Sequence, residues 1–292
     1  MSIFTLSKFS ADSILGWAEY FERDSDSLAS LYLGGASEHL ALEGKPAKGH
    51  YAALMFGNSP VNGESLLSDH RRKCLLSPRS VIGFSTSIGL HKSLSVLYAG
   101  LRQDDQKFFL DALIAASRGL FAELEGISFF GSRTGRGGSG YAKGEAIALA
   151  YVHCTNRALE PHLHIHVEIP NFCRCADGQW RTLAAAALYD RQADVARLFD
   201  KHLVAELGVR LPWLQSRFCS DERGVSIPSI SAEVLDAAST RRKEVVEALD
   251  HGAETKLEAA YTTRQQKGDI SLTGLIEAWR DQFSHSIRAL RG

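Results

Sequence analysis

A regular alternation of apolar and polar side chains marks residues 162–169, H-L-H-I-H-V-E-I. Successive side chains of a β-strand point to opposite faces, so Leu163, Ile165 and Val167 would share one face. An apolar face of this kind packs against a core, while the other face carries the polar residues. The pattern therefore predicts a half-buried strand whose second face is occupied by histidine.

The other periodic segments predict a mixture of helices and strands. Apolar side chains recur at helical spacing in residues 11–22, 91–101 and 105–125. Strand patterns occupy residues 80–88 and 145–153, and the turn-like sequence C-T-N-R-A-L-E-P joins the second of them to the histidine strand. Element types therefore alternate along the chain.

Glycines and cations are concentrated in the stretch S-F-F-G-S-R-T-G-R-G-G-S-G-Y-A-K-G, residues 128–144. This composition predicts a basic hairpin or flexible loop. A phosphate-binding loop is not indicated, because no G-K-S or G-K-T follows. We expect a DNA-contacting loop in which Arg133, Arg136 and Lys143 meet the phosphate backbone.

The histidine strand and the strand before it could converge on one metal ion. His164 and His166 share a face and would lie about 6.5–7 Å apart by the strand rise. If the two strands form an antiparallel hairpin with a loop over residues 154–163, His153 falls opposite His164, and directly paired side chains are about 5 Å apart. His162 begins the strand beside Pro161 and is interpreted as a rim residue that contacts substrate.

Three neutral imidazoles with open coordination positions suit manganese, zinc, nickel or cobalt, and magnesium if phosphate oxygens supply the remaining ligands. Such an ion polarises a phosphoryl oxygen. Cys173 and Cys175 could instead contribute to a closed structural zinc site, although a C-x-C pair followed by Asp177 and Gly178 also fits an ordinary turn. A surface strand lined by histidines is the remaining interpretation.

Composition restricts the class of protein. The chain has 292 residues, 33 basic and 34 acidic side chains and a net charge of −1, so DNA binding would depend on local clusters such as Arg71, Arg72 and Lys73. Five cysteines are an odd number without framework spacing, which indicates reduced thiols. The N-terminal segment lacks a signal-peptide pattern, and no segment reaches the ~20 apolar residues of a membrane span. We expect a cytoplasmic protein that does not insert into membranes.

The histidine pattern belongs to a longer motif. The sequence H-C-T-N-R-A-L-E-P-H-L-H-I-H-V-E-I-P-N, followed by D-G-Q-W-R-T-L, resembles the three-histidine motif and succeeding hairpin of MobF-type conjugative relaxases, members of the HUH endonuclease superfamily. That family places its first histidine eleven positions before the second and its third two positions later. The spacing of His153, His164 and His166 is the same.

The resemblance extends over most of the chain. Residues 82–95, I-G-F-S-T-S-I-G-L-H-K-S-L-S, are similar to the family strand that ends in S-A-P-K-S-V-S. The sequences A-E-Y-F-E and G-G-A-S-E-H-L-A-L-E-G are similar to the region that bears the nucleophilic tyrosines. Residues 239–247, S-T-R-R-K-E-V-V-E, and 275–280, L-I-E-A-W-R, resemble the closing helices of the family.

The resemblance implies a site- and strand-specific DNA nicking and joining enzyme that acts at an origin of transfer. Tyr20 matches the nucleophile that forms a 5′-phosphotyrosine bond, and Lys92 matches the family's lysine, so both are catalytic candidates. One divalent ion, magnesium or manganese in the cell with zinc, nickel or cobalt also compatible, would be held by the three histidines. The implied DNA contacts are Arg71, Arg72, Arg133, Arg136, Lys143, His162 and Arg181.

The implied fold is α+β, with a five-stranded antiparallel sheet and flanking helices. It would form a catalytic domain over residues 1–230, with a helical extension over residues 231–292 packed on the same domain. The expected partners are single-stranded DNA or an origin-of-transfer hairpin, with accessory relaxosome proteins and a separate helicase as further candidates.

The chain departs from the family pattern at the tyrosines and at the expected base. Ser85 stands where the family has an aspartate that assists the tyrosine, so a tyrosine of ordinary pKa, about 10, needs activation by metal, lysine or phosphate. Phe21 follows Tyr20 where a second tyrosine is usual, and Tyr32 is a poorly matched candidate for the second pair. His91 replaces the family's proline and is interpreted as a helix-start residue outside the site.

Two other classes stay open. A relaxase-derived module could bind single-stranded DNA or a hairpin with weak or no cleavage, as Ser85 and the neutral net charge suggest. A metal-dependent hydrolase or cupin-like enzyme could use the histidines for a small substrate, with Glu168 as the nearby carboxylate. Tyrosine-dependent covalent capture of DNA would exclude both.

Overall fold

The computed structural model describes residues 3–22, 27–78, 80–221, 224–240, 250 and 271–291. At its centre lies a five-stranded sheet in which every neighbouring pair of strands is antiparallel. The strands of this sheet, in spatial order, are β1 (Ile3–Phe9), β3 (Gly83–Gly89), β7 (Pro161–Pro170), β6 (Ala148–Thr155) and β2 (Ser27–Leu33). The α+β fold with a five-stranded antiparallel sheet is therefore confirmed.

Smaller sheets and helices surround this centre. A four-stranded sheet contains β4 (Gly131–Thr134), β5 (Gly140–Glu145), β8 (Phe172–Cys175) and β9 (Trp180–Thr182), and a two-stranded sheet pairs β10 (Cys219–Asp221) with β11 (Gly224–Ser226). The helices are α1 (Ile14–Glu22), α2 (Gly35–His39), α3 (His50–Met55), α4 (Asp69–Leu75), α5 (Lys92–Gly100), α6 (Gln103–Gly126), α7 (Ala186–Asp190), α8 (Gln192–Arg210), α9 (Ala232–Ala237) and α10 (Leu272–Ala289).

One face of the central sheet is covered by the long helices. On β7 the alternating residues Leu163, Ile165 and Val167 point to this face and are buried in the larger hydrophobic core. The same core includes Phe109 of α6 and Phe199 of α8. The predicted alternation of β7 is thus confirmed, and its apolar side faces helices.

The opposite face carries the histidines and is partly covered by α1 and α3. Ile14, Ala18 and Phe21 of α1 are buried in a second hydrophobic core that also contains Tyr51 of α3 and Tyr151 of β6. Only part of this face is sealed, because α1 leaves the histidine end of β6 and β7 beside a cavity. The position of α1 therefore decides which polar residues of the sheet reach solvent.

A partly buried carboxylate connects α6 to the segments that adjoin β2 and β6. Glu125 accepts hydrogen bonds from the backbone N–H of Gly35, at 3.0 Å, and of Ala146, at 2.8 Å. Gly34 precedes this junction with φ +88°, and a Cβ there would lie 2.2 Å from the Ala146 carbonyl oxygen. Glycine is required at this position both by its conformation and by the close backbone approach.

The described part of the C-terminal segment packs on the same body. Trp279 of α10 donates its indole N–H to the Leu159 carbonyl at 3.1 Å, and Arg280 donates to the Gln106 side chain at 2.8 Å. The predicted division at residue 230 stays a prediction. Of the family-like sequence at 239–247, residues 241–247 lie outside the described residues. These include Arg241, Arg242 and Lys243. Within the described part of the chain, no helix is both long and apolar enough to cross a membrane.

Candidate active site

The three predicted metal ligands meet at one end of the β6–β7 pair. His153 is directly opposite His164, as the hairpin register predicted, and His166 lies two residues further along β7. One ligand atom from each of the three residues lies within 4.8 Å of the other two. The ring centroids of His153 and His166 are 5.2 Å apart, and those of His164 and His166 are 4.9 Å apart.

The surroundings keep the imidazoles of His166 and of the neighbouring His162 neutral. Burial, followed by the nearby rings of His164 and His153, lowers the pKa of His166 to about 3. Burial, followed by His164 and Lys92, lowers the pKa of His162 to about 4. A neutral imidazole offers a lone pair to a metal ion, whereas an imidazolium does not. His166 can therefore bind a divalent metal without first losing a proton near neutral pH, and three clustered imidazoles are a donor set that such a metal accepts.

Hydrogen bonds orient two of the rings. His164 Nδ1 lies 2.9 Å from the His162 carbonyl oxygen, and His153 Nε2 lies 3.0 Å from the Ser27 hydroxyl. Partners of this kind fix the tautomer and direction of a ligating histidine. Ser27 comes from β2, so the site draws on three neighbouring strands of the sheet.

Tyr20 lies over the histidine cluster on helix α1. Its ring centroid is 6.4 Å from that of His153 and 6.5 Å from that of His166, and the residue is 51% exposed. The neighbouring Phe21 is 2% exposed and stacks on Tyr151, with ring centroids 4.5 Å apart. Phe21 thus anchors the helix while Tyr20 faces the cavity.

A cavity of about 740 Å³ opens in front of these groups. Its volume is within the usual range for a ligand site. The lining residues are Ser13, Gly16, Trp17, Tyr20, His153, Thr155, Asn156, Arg157, His162, His164 and His166. The sequence analysis did not single out Trp17 or Arg157. The sequence signal for Trp17 was an aromatic residue on an amphipathic helix, outside its apolar stripe.

Lys92 holds the beginning of β7 rather than lining this cavity. Its ammonium donates to the Pro161 carbonyl at 2.8 Å, and the Leu163 N–H donates to the Ser95 hydroxyl at 2.9 Å. Burial lowers the pKa of Lys92, and Glu160 acts in the opposite direction. The first turn of α5 therefore fixes the strand that carries the histidines.

A buried carboxyl group lies further along the same face of β7. Glu168 is 0% exposed and accepts a hydrogen bond of 2.6 Å from the Ser85 hydroxyl. Burial raises the pKa of Glu168 to about 8 against the effect of that hydrogen bond. Neither its second oxygen nor the Tyr51 hydroxyl makes a hydrogen bond of normal geometry within the described residues. Glu168 is thus sealed from the cavity that the histidines line.

The side chains predicted to contact DNA fall into separate regions. His162 lines the histidine cavity, whereas Arg133 lines a second cavity of about 460 Å³, and Arg136 and Lys143 are exposed near it on the glycine-rich hairpin. Arg71 donates to the Trp180 carbonyl at 2.5 Å, and Arg181 pairs with Asp177 at 2.5 Å. The Nε of Arg72 is buried without a hydrogen-bond partner within the described residues.

Comparison with known proteins identifies the family of the chain. The TrwC relaxase family model matches residues 4–286. The chain belongs to the TrwC relaxase family. Relaxases are enzymes that nick and rejoin DNA, and the three histidines are this member's candidate ligands for a divalent metal.

Solved structures show the same fold. The conjugative relaxase TrwC in complex with oriT DNA, in its metal-bound structure, has a TM-score of 0.79 and 20% identity, over 99% of this chain and 98% of that chain. TrwC complexed with a 27-mer DNA comprising the recognition hairpin and the cleavage site has a TM-score of 0.75 and 19% identity, with the same coverage. No curated protein matched the sequence.

Two further positions of this TrwC family member, Tyr32 and His91, lie outside the histidine cavity. Tyr32 is 7% exposed, its hydroxyl is hydrogen-bonded to His50, and burial raises its pKa to about 12. It lines another cavity and does not join Tyr20. His91 accepts the Ser93 N–H at 3.2 Å and so caps α5, which agrees with its interpretation as a helix-start residue.

The two central cysteines do not extend the metal site. Cys173 and Cys175 are both buried with free thiols on β8. Burial, followed by the neighbouring Cys175, raises the pKa of Cys173, which disfavours the thiolate that a metal requires. Among the described residues, the cluster able to hold a metal consists of the three histidines.

Proposed function

We propose that this protein nicks single-stranded DNA at an origin of transfer and later rejoins it, with Tyr20 as the nucleophile. One observation carries the proposal: the Tyr20 ring lies 6.4 Å and 6.5 Å from two of the three clustered histidines, in the cavity that all three line. Membership of the TrwC relaxase family supports the same reaction. The similar TrwC structures contain oriT DNA.

The reaction is a transesterification at phosphorus. The Tyr20 oxygen forms a bond to the phosphorus, the bond from phosphorus to the 3′ oxygen breaks, and the proton lost by the tyrosine is balanced by one gained at the 3′ hydroxyl. The products are a 5′-phosphotyrosine and a free 3′ end, and attack by that 3′ hydroxyl reverses the step. The covalent bond conserves the energy needed for joining.

The histidine cluster would hold the metal ion whose positive charge phosphoryl transfer needs. A divalent ion held by His153, His164 and His166 would polarise a phosphoryl oxygen and, as a positive charge beside Tyr20, favour the tyrosinate. We propose manganese or magnesium in the cell, because phosphate oxygens can complete their coordination. Glu168 is sealed against Ser85, so we do not assign it the role of a base.

Separate groups would hold the DNA on either side of the nick. Arg157 lies on the turn after β6 and lines the cavity with its cationic side chain. The exposed cations of the glycine-rich hairpin, Arg136 and Lys143, would bind backbone phosphates of a more distant stretch or of a hairpin. A separate helicase and accessory relaxosome proteins are further proposed partners.

Covalent capture of DNA tests this function. The protein is incubated with labelled single-stranded oligonucleotides from the DNA neighbouring its gene, in manganese or magnesium, and the products are separated under denaturing conditions. We expect a labelled strand shifted by the protein's mass, which is lost in Tyr20→Phe and His164→Ala. The matched control is Tyr189→Phe, because Tyr189 is 44% exposed and lies outside the cavity lining.

Two outcomes would contradict the proposal. Binding without cleavage or adduct would identify a DNA-binding module that no longer cuts. An adduct that persists in Tyr20→Phe would assign the nucleophile to another residue.

A further inference from the structure

The cavity contains an aromatic side chain that the proposed chemistry does not use. Trp17 is 37% exposed on α1, three residues before Tyr20, and lines the cavity with it. Indole rings bury large areas in folded proteins, so an exposed one beside a candidate nucleophile calls for a physical explanation.

Neighbouring rings hold Trp17 in place. Its indole stacks on Phe21, with centroids 5.7 Å apart and planes at 20°, and meets Tyr20 edge-on at 5.9 Å and 90°. Phe21 is itself packed on Tyr151 of the sheet. The indole is therefore pre-ordered on its helix, and a ligand that stacks on its exposed surface loses little further side-chain entropy.

Small residues line the cavity beside Trp17. Gly16 also lines the cavity, and a Cβ added there would meet nothing within 4 Å. Ser13 continues this side of the cavity one helical turn earlier. These small residues leave room for a planar group beside the indole.

A cation lies on the β6–β7 turn that also borders the cavity. The Asn156 side-chain oxygen accepts the N–H of Ala158 and of Glu160, each at 3.0 Å, so the turn that presents Arg157 is tightly held. Trp279 of α10 braces the same turn through the Leu159 carbonyl at 3.1 Å. An aromatic surface and a guanidinium group around one cavity match the base and the phosphate of a single nucleotide.

We propose that Trp17 forms a nucleobase-stacking site that holds an unpaired base beside the phosphate attacked by Tyr20, with Arg157 directed to the neighbouring backbone. The inference rests on the proposed function, since it concerns the same DNA in the same cavity. Stacking on an aromatic side chain tolerates any base, because every base has a π-face. The site would therefore set the position of the strand rather than its sequence.

The test measures DNA binding without cleavage. All variants carry Tyr20→Phe and are studied in EDTA, with a fluorescein-labelled thymidine oligonucleotide about twelve nucleotides long and an abasic oligonucleotide with the same phosphates. We expect Trp17→Ala to weaken binding of the thymidine oligonucleotide about 10-fold or more, as loss of one stacked base does. The abasic oligonucleotide should bind with equal affinity to both proteins.

A second variant blocks the site without removing the indole. Gly16→Leu adds a side chain to the open wall at a helical position, where leucine is a better helix former than glycine. We expect the same loss of affinity with no loss of thermal stability. Leu15→Ala is the control, because Leu15 is 70% exposed on the same helix and is outside the cavity lining.

The outcomes separate this inference from the proposed function. Unchanged thymidine binding in both Trp17→Ala and Gly16→Leu would overturn the stacking site, even if the unmodified protein forms a tyrosine adduct. Equal weakening for the abasic oligonucleotide would also overturn it, because only phosphate contacts would then have been lost. Selective weakening in a protein that forms no adduct would support the stacking site and contradict the nicking activity.

Discussion

One face of strand β7 carries polar residues at two ends, and the ends differ in access to solvent. His164 and His166 border a cavity of about 740 Å³, whereas Glu168, two residues further along, is 0% exposed. Burial lowers the pKa of His166 to about 3 and raises that of Glu168 to about 8, so both groups favour their neutral form. Burial thus leaves the His166 imidazole neutral and able to bind a metal ion, and it keeps the Glu168 carboxyl group protonated.

The comparison shows that the covering elements, rather than the strand, decide the role of each residue. Glu168 is closed off by Ser85 from β3 in the region of Tyr51 from α3, while the histidines are left open by α1. From the sequence alone, Glu168 would be an obvious candidate metal ligand, because it follows His166 by two residues. Its enclosure makes it a structural group instead.

We expect the largest effect on metal binding from removing a histidine of the cluster that borders the cavity. His164→Ala should weaken manganese binding by at least about 100-fold, because even the loss of a group that only orients a ligand costs 10- to 100-fold. Isothermal titration with manganese measures this. His162→Ala is the control, since His162 is outside the three-residue cluster, and an equal loss in both variants would contradict the assigned ligand set.

Among the effects on stability, we expect the largest from removing the aromatic anchor of α1. Phe21→Ala deletes a ring that is 2% exposed, so we expect the free energy of unfolding to fall by about 3–5 kcal/mol. Urea denaturation measures the change. Leu15→Ala, on the exposed side of the same helix, should change stability by less than about 0.5 kcal/mol. Similar losses in the two variants would show that Phe21 does not fix the helix.

The buried Glu168 should make the free energy of unfolding depend on pH. The pKa of Glu168 is raised from 4.5 to about 8, so between those values the folded protein keeps a proton that the unfolded chain releases. Its stabilising contribution is therefore complete below pH 4.5 and is lost as pH rises through 8. Since each pKa unit corresponds to about 1.4 kcal/mol, Glu168→Gln should be more stable than the wild type by a few kcal/mol at pH 8.

Denaturation at pH 5 and pH 8 in EDTA measures this difference, and a constant difference between the two proteins would contradict it. His166 provides the opposite slope. Because its pKa is lowered from 6.5 to about 3, the unfolded chain binds the proton more readily in that window, and stability falls as pH drops below 6.5.

We expect the smallest effect on stability from replacing Lys92, which holds the beginning of β7. Lys92→Met removes the hydrogen bond to the Pro161 carbonyl and should lower the free energy of unfolding by about 1–2 kcal/mol. The rate of adduct formation by the folded protein then separates two roles. A fall of less than about threefold fits a strand clamp, whereas a loss of about 10²–10⁴ would establish the catalytic role that the family resemblance implies.

Local patterns were enough to predict the centre of the site. The alternation of β7 and a hairpin connection over residues 154–163 predicted that His153 lies opposite His164, and the structure has this register. The helix predicted at 105–125 is found at Gln103–Gly126, because its spacing is long and regular. These features depend on residues that are close in sequence.

The functions of the surrounding residues depended on contacts that the sequence does not display. Arg181 is paired with Asp177, and Arg71 is bound to a backbone carbonyl, so their charges are engaged within the protein. Trp17 became a site candidate only because α1 docks across the histidine end of the sheet. Contacts between distant segments, which periodicity cannot specify, place Arg71 and Trp17, whereas Arg181 pairs with a residue four positions before it.

The enclosure of Tyr32 affects the stoichiometry of the proposed reaction. With Tyr32 bound to His50, Tyr20 is the one tyrosine among the described residues that lines the histidine cavity. Each molecule can then hold a single DNA end, and it is regenerated only when a 3′ hydroxyl takes that end back. A molecule that holds one end would therefore be unable to cut again until that end is rejoined, so two cuts without rejoining between them would need two copies of the chain.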